Sequence, residues 1–241
     1  MSKPFVCALA FCCALIAQSV ANANLIVNGG FESGSAVAGN VPTTFATWQG
    51  DQSAYVAAEN AITPPEGSRM LRFIYTNAGG PGPTTNTAQY FQNIDLSAFS
   101  AEIASGNARL SASTLFNRVT GTALTDTAFG FQLIAKSGTP SAPTTLASVS
   151  QVIFTDGLTN TWELASLSNF VLPPATTFVL FELDAFENIF NSGSDPEFDG
   201  HYADDVIVTL AVPEPSGLVF IAIALVALLL IVNGTERMRQ S

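Results

Sequence analysis

The chain has 241 residues, with eight basic and nineteen acidic side chains, one histidine and a formal net charge of −11 at pH 7. That balance excludes a surface built for nucleic acid or anionic lipid, because a phosphate backbone demands clustered Lys and Arg. The three cysteines, Cys7, Cys12 and Cys13, all lie near the N-terminus.

They fall inside a segment with Lys3, an apolar run over 5–16 and Ala21-Asn22-Ala23, the charged, hydrophobic and small-residue order of a secretory signal peptide. Residues 1–23 are expected to be removed. A second membrane helix competes, but its apolar part is short; a lipoprotein signal needs a small residue where Phe11 and Cys12 stand. The mature chain then holds no thiol, so neither a disulfide nor cysteine chemistry is available. Residues 24–211 carry five basic and seventeen acidic residues. That length suffices for one β domain that buries its own core.

Residues 24–32, Asn-Leu-Ile-Val-Asn-Gly-Gly-Phe-Glu, read as a short strand ending in a turn at Asn28-Gly29-Gly30. A turn at 64–68 opens a strand over 69–76 that puts Leu71, Phe73 and Tyr75 on one face. Further strands are expected over 89–96, over 109–118 with Leu110, Ala112, Thr114 and Phe116 together, and over 128–136 with Phe129, Phe131, Leu133 and Ala135 together. A Ser-Gly-Thr-Pro-Ser-Ala-Pro loop follows, then strands over 145–154, 161–172, 176–187 and 202–211. Nine or ten strands with few helical periods predict an all-β antiparallel sandwich.

Enzymatic machinery is hard to assemble from this inventory. His201 is the one histidine, expected to be solvated at a loop edge, and there is no nucleophile elbow, phosphate loop or paired-histidine metal site. Glu182 and Asp184 share one face of a strand, which suits either a solvent-facing acidic strand or a pair of glycosidase acids. Trp48 and Trp162 are expected in the core rather than as exposed sugar platforms. Eight acids and no base lie between Glu182 and Asp205. They are either solvated or a source of the six to eight oxygens that calcium takes.

Asn-Gly-Gly-Phe-Glu near the mature start, Glu-Gly-Ser-Arg-Met-Leu-Arg-Phe, Gln-Tyr-Phe-Gln-Asn-Ile-Asp-Leu and the closing Tyr-Ala-Asp-Asp-Val-Ile-Val-Thr-Leu, in this order, resemble the galactose-binding-like jelly roll of many carbohydrate-binding modules. The resemblance implies a structural calcium joining Glu32 to Asp204 or Asp205, and a polysaccharide-binding ectodomain as one reading. A structural or adhesive component of an exopolysaccharide-rich surface is the other.

The C-terminal region has three parts in fixed order. Val212-Pro213-Glu214-Pro215-Ser216 is held extended by two prolines that lack amide hydrogens. The sixteen residues 217–232 carry no charged or polar side chain. At ~1.5 Å per residue they make a helix of about 24 Å, short for a membrane span. Arg237 and Arg239 then form a cytoplasmic stop. This order resembles the PEP-CTERM sorting signal of Gram-negative bacteria, and implies an exported protein anchored transiently in the cytoplasmic membrane and cleaved by an exosortase near Pro213, Glu214 and Pro215. A eukaryotic lipid-anchor signal fits less well, since such tails end in the apolar run.

Overall fold

The computed structural model describes residues 23–75, 87–120, 128–186 and 200–212. The signal segment to residue 22, the Pro213-Glu214-Pro215 strip, the 217–232 span, Arg237 and Arg239 lie outside the described residues. Among the described residues no helix is long and apolar enough to cross a membrane.

Among the described residues, ten strands form two five-stranded antiparallel sheets. They are β1 (Trp48–Gly50), β2 (Gln52–Val56), β3 (Met70–Tyr75), β4 (Thr87–Asp95), β5 (Arg109–Arg118), β6 (Ala128–Thr139), β7 (Ala142–Phe154), β8 (Glu163–Val171), β9 (Phe178–Phe186) and β10 (His201–Ala211). The first sheet runs β1-β4-β9-β6-β7 and the second β2-β3-β10-β5-β8. Apart from the β2–β3 and β6–β7 pairs, successive strands lie in opposite sheets, so the chain repeatedly crosses the sandwich in jelly-roll fashion.

Period-two patterning builds the interior. Leu110, Ala112, Thr114 and Phe116 of β5 are buried, as are Phe129, Phe131, Leu133 and Ala135 of β6, matching the faces expected from alternation. The sheets meet where Phe116 of the second stacks on Phe129 of the first, with ring centroids 4.8 Å apart. Phe131 stacks on Phe181 at 5.5 Å, and Trp48 on Tyr90 at 5.6 Å. Each fully buried Phe contributes roughly 1.5–3 kcal/mol, enough in sum to hold a disulfide-free domain together.

Three expectations are corrected. Residues 24–32 do not form a strand: β3 pairs with β10 only through His201–Ala203, and beyond that point the N-terminal segment lies beside β10. Its contacts are irregular. Leu25 N donates to Val208 O at 2.8 Å, Val206 N donates to Gly29 O at 3.0 Å, and the Asn24 side chain bonds both Val206 O and Val208 N. The positive φ angles of this turn sit at Asn28 (55°) and Phe31 (54°), not at the glycines. Gly29 is required for a different reason, because a Cβ there would lie 2.2 Å from Val206 O. The expected loop after Lys136 is instead a tight hairpin, with β6 and β7 paired out to Thr139 and Ala142. His201 is buried against Phe129, not solvated, because it opens the central strand of the second sheet.

Candidate functional site

β9 occupies the middle of the first sheet, flanked by β4 and β6. Phe181, Leu183 and Ala185 point into the core, which places Glu182 and Asp184 on the outer face. Register then assembles two rows across that face. Gln89, Asp184, Gly130 and Val152 stand side by side, and next to them Phe91, Glu182, Gln132 and Ser150.

The two carboxyls are 9% and 8% exposed, so of the two readings open to them from sequence the solvent-facing acidic strand does not hold. On the central strand they are flanked on either side, by Gln89 and Phe91 of β4 and by Gly130 and Gln132 of β6. Gln89 Nε2 donates to Glu182 Oε1 and also to Asp184 Oδ1 at 3.1 Å. Burial pushes Glu182 up to about 8, reinforced by the negative charge of Asp184. Burial likewise raises Asp184 to about 6, opposed by the hydrogen bonds from Gln89 and Glu182. Near neutrality the pair therefore retains a proton that ordinary carboxylates have lost.

The far end of this face is covered. Phe45 packs edge-on against Phe178 at 5.9 Å, Asn93 Nδ2 donates to Pro42 O and Thr44 O, and Ala46 N donates to Asn93 O. What remains is a strip whose half-buried members are the amides of Gln89 and Gln132, beside the buried carboxyls of Glu182 and Asp184 and the buried ring of Phe91. Such a strip can donate and accept hydrogen bonds toward a hydroxyl-rich ligand beside an apolar ring. The i, i+2 spacing of Glu182 and Asp184 was legible in sequence; Gln89, Phe91 and Gln132 were not singled out, because only inter-strand register brings them there.

The residues implicated in calcium lie at the N-terminal turn. Glu32 Oε1 accepts from Ser68 N and Arg69 N, both at 2.9 Å, and its Oε2 accepts from Ser68 Oγ at 2.8 Å. These bonds, the backbone ones first, hold its carboxyl below the usual range. Asp204 is fully buried at a bulge in β10, with Oδ1 accepting from Asp205 N at 2.8 Å. Its Oδ2 is buried without a hydrogen-bond partner, and burial, aided by the charges of Asp205, Glu32 and Glu66, pushes the group up to about 8. A Cβ built on Gly30 would lie 3.7 Å from Asp204 Oδ1 and 3.9 Å from Glu32 Cγ, so the fold brings the two acids to either side of that glycine. Asp205 follows with φ 50°. The orphaned Asp204 oxygen fits a cation. Among the described residues, however, no group of three acidic, His or Cys side chains converges as a metal site, so most ligands would have to be backbone carbonyls or water.

Of the aromatic residues weighed earlier, Trp48 is buried in the core and Trp162 is half-buried, donating from Nε1 to Thr63 O at 2.9 Å. Neither is a surface platform.

No protein family's sequence profile matches the chain, and no curated protein does. Among solved structures it is similar to TmCBM61 in complex with β-1,4-galactotriose, at 13% identity and TM-score 0.44, covering 79% of this chain and 99% of that one. It is also similar to the C-terminal family 22 carbohydrate-binding module of Clostridium thermocellum Xyn10B, at 14% identity and TM-score 0.40, covering 70% and 87%. The xylan-binding CBM22-2 domain of Paenibacillus barcinonensis Xyn10C matches at 11% identity and TM-score 0.38, covering 70% and 94%.

The carboxyl pair makes stability depend on pH in a defined direction. Ordinary values are 4.5 for Glu182 and 3.8 for Asp184, both below the folded ones. Between about pH 4 and pH 8 the folded chain holds protons that the unfolded chain has released, so stability falls as pH rises through that window. With ~1.4 kcal/mol per pKa unit, we expect a loss on the order of 5 kcal/mol from pH 5 to pH 8. Denaturant midpoints measured across the window check it: Glu182→Gln should flatten the slope, and an unaltered slope contradicts the assignment.

Proposed function

We propose that this chain is a polysaccharide-binding module displayed at a bacterial surface, with the outer face of β4, β9 and β6 as its ligand face. The observation that carries this reading is Gln89 held between Glu182 and Asp184, beside Phe91 and Gln132. Sugar hydroxyls need donors and acceptors at close spacing next to an apolar surface, and this strip supplies both without a strong net charge. Binding is favoured over hydrolysis because a glycosidase sets its two carboxyls on opposite sides of the scissile bond. Here both lie on one strand and bond a single amide nitrogen. Gln89→Ala and Gln132→Ala should each weaken retention on an insoluble polysaccharide about 3- to 10-fold, the cost of one or two hydrogen bonds. Retention on no member of a polysaccharide panel, or unchanged retention by both variants at equal folded fraction, refutes the face.

Calcium is proposed as a structural ion at Asp204, with Asp205 and Glu32 adjacent. Its support is the buried Asp204 Oδ2 that lacks a partner. A bound cation would hold Asp204 ionised and offset the cost of its burial. Chelation should then lower the melting temperature of the native protein while leaving Asp204→Asn unaffected. Equal melting of the native protein with and without chelator removes the ion from the account.

Export and sorting rest on sequence order alone. In this reading residues 1–23 direct secretion, the 217–232 helix with Arg237 and Arg239 holds the chain in the inner membrane, and an exosortase cleaves near Pro213-Glu214-Pro215. The domain is thereby passed to an exopolysaccharide-rich surface. Glu214→Ala should leave an uncleaved, membrane-retained precursor. Mass spectrometry of the surface protein decides the point, since a chain still ending at Ser241 contradicts sorting.

A further inference from the structure

The two sheets present four edges, and three of them are blunted in ways that edge strands commonly use to avoid further pairing. β1 is three residues long and is covered by the segment before it, where Gly39 N donates to Gly50 O at 2.7 Å. β2 has five residues, and the Arg69 guanidinium occupies its Tyr55 carbonyl at 3.1 Å. β8 has nine, carries Glu163, and is broken near its end by Asn169 at φ 64°. The fourth, β7, is thirteen residues long, contains no charged side chain and, among the described residues, pairs only with β6. At ~3.4 Å per residue it is about 44 Å of open hydrogen-bonding edge, with Pro143 interrupting it only near its start. Val152 and Phe154 are exposed on its outer side, the latter by 72%.

We propose that β7 is a self-association edge, along which a second copy of this chain pairs antiparallel across a two-fold axis. The choice of partner follows from charge. Two chains of net charge −11 repel over most of their surfaces, and β7 is the one long edge free of charged side chains, since the other uncharged edges, β1 and β2, are short and already covered. A two-fold contact is also self-complementary by construction, so a strand of small hydroxyl and aliphatic residues can face itself. Pairing joins the two first sheets into one of ten strands and sets both outer faces on the same side. A polymer could then engage two faces at once and bind with greater avidity; that consequence rests on the polysaccharide reading, whereas the pairing does not.

The test uses the full chain in detergent, with mass measured by light scattering. The native protein should have twice the mass of one chain. Ser148→Lys/Ser150→Lys, two exposed outer-face positions, should give one chain that still unfolds cooperatively, because lysines opposed across the strand pair repel without entering the core. With Cys7, Cys12 and Cys13 replaced by Ser, a cysteine at Thr144, Ser148 or Val152 should yield a disulfide-linked pair under mild oxidation at one or more positions, and a cysteine at Ser105 none. Single-chain mass for the native protein overturns the proposal. So does a doubled mass that survives the lysine substitutions, which assigns association to another surface, or an absence of crosslinking at all three β7 positions.

Discussion

Burial of β9 on both faces is the constraint on which the rest of the sandwich depends. As the middle strand of its sheet it has no solvent edge, and each of its side chains must find a partner. On the inner side that requirement is met by apolar packing of Phe181, Leu183 and Ala185 against the opposite sheet. On the outer side it falls on Glu182 and Asp184, and a buried carboxyl costs heavily unless it is hydrogen-bonded or kept neutral. Gln89 supplies the hydrogen bonds, and the upward shift of both acids supplies the neutrality. The strand that closes the core thus also holds a polar site rigidly.

The second buried acid follows the same logic with a different outcome. Asp204 sits where β10 leaves β3 and the N-terminal segment takes over, a junction that needs a bulge, a positive φ at Asp205 and a glycine at position 29. Among the described residues, only one of its oxygens finds a hydrogen-bond partner. Glu32, by contrast, is satisfied by Ser68 and Arg69 and ties the N-terminal turn to the start of β3. The two acids that the jelly-roll resemblance groups together therefore do different work: Glu32 anchors a turn, and Asp204 leaves a buried acceptor open.

Much of this architecture could be read from alternation. The inward faces of β5 and β6 appear in sequence as unbroken period-two patterns, and the structure keeps every one of those residues inside. Short elements escaped: β1 and β2 offer too few residues for a pattern, and the N-terminal run has strand-like composition but only an irregular flank of β10 to lie against. The outer face was half legible. Glu182 and Asp184 share a side in any strand, but whether that side meets water is decided by strand order, which sequence spacing does not encode. Gln89 and Gln132 join them through registers set by partners 95 and 50 residues away along the chain.

The central claim is that the outer face of the first sheet is where a glycan binds. Titrating the isotope-labelled protein with soluble oligosaccharide fragments of a retained polysaccharide, and following amide chemical shifts, tests it most directly. The account predicts that the largest changes fall on the side-chain amides of Gln89 and Gln132 and on the backbone of β4, β9 and β6. Changes concentrated on β5, β8 and β10 of the opposite sheet, with those two amides unmoved, would contradict it.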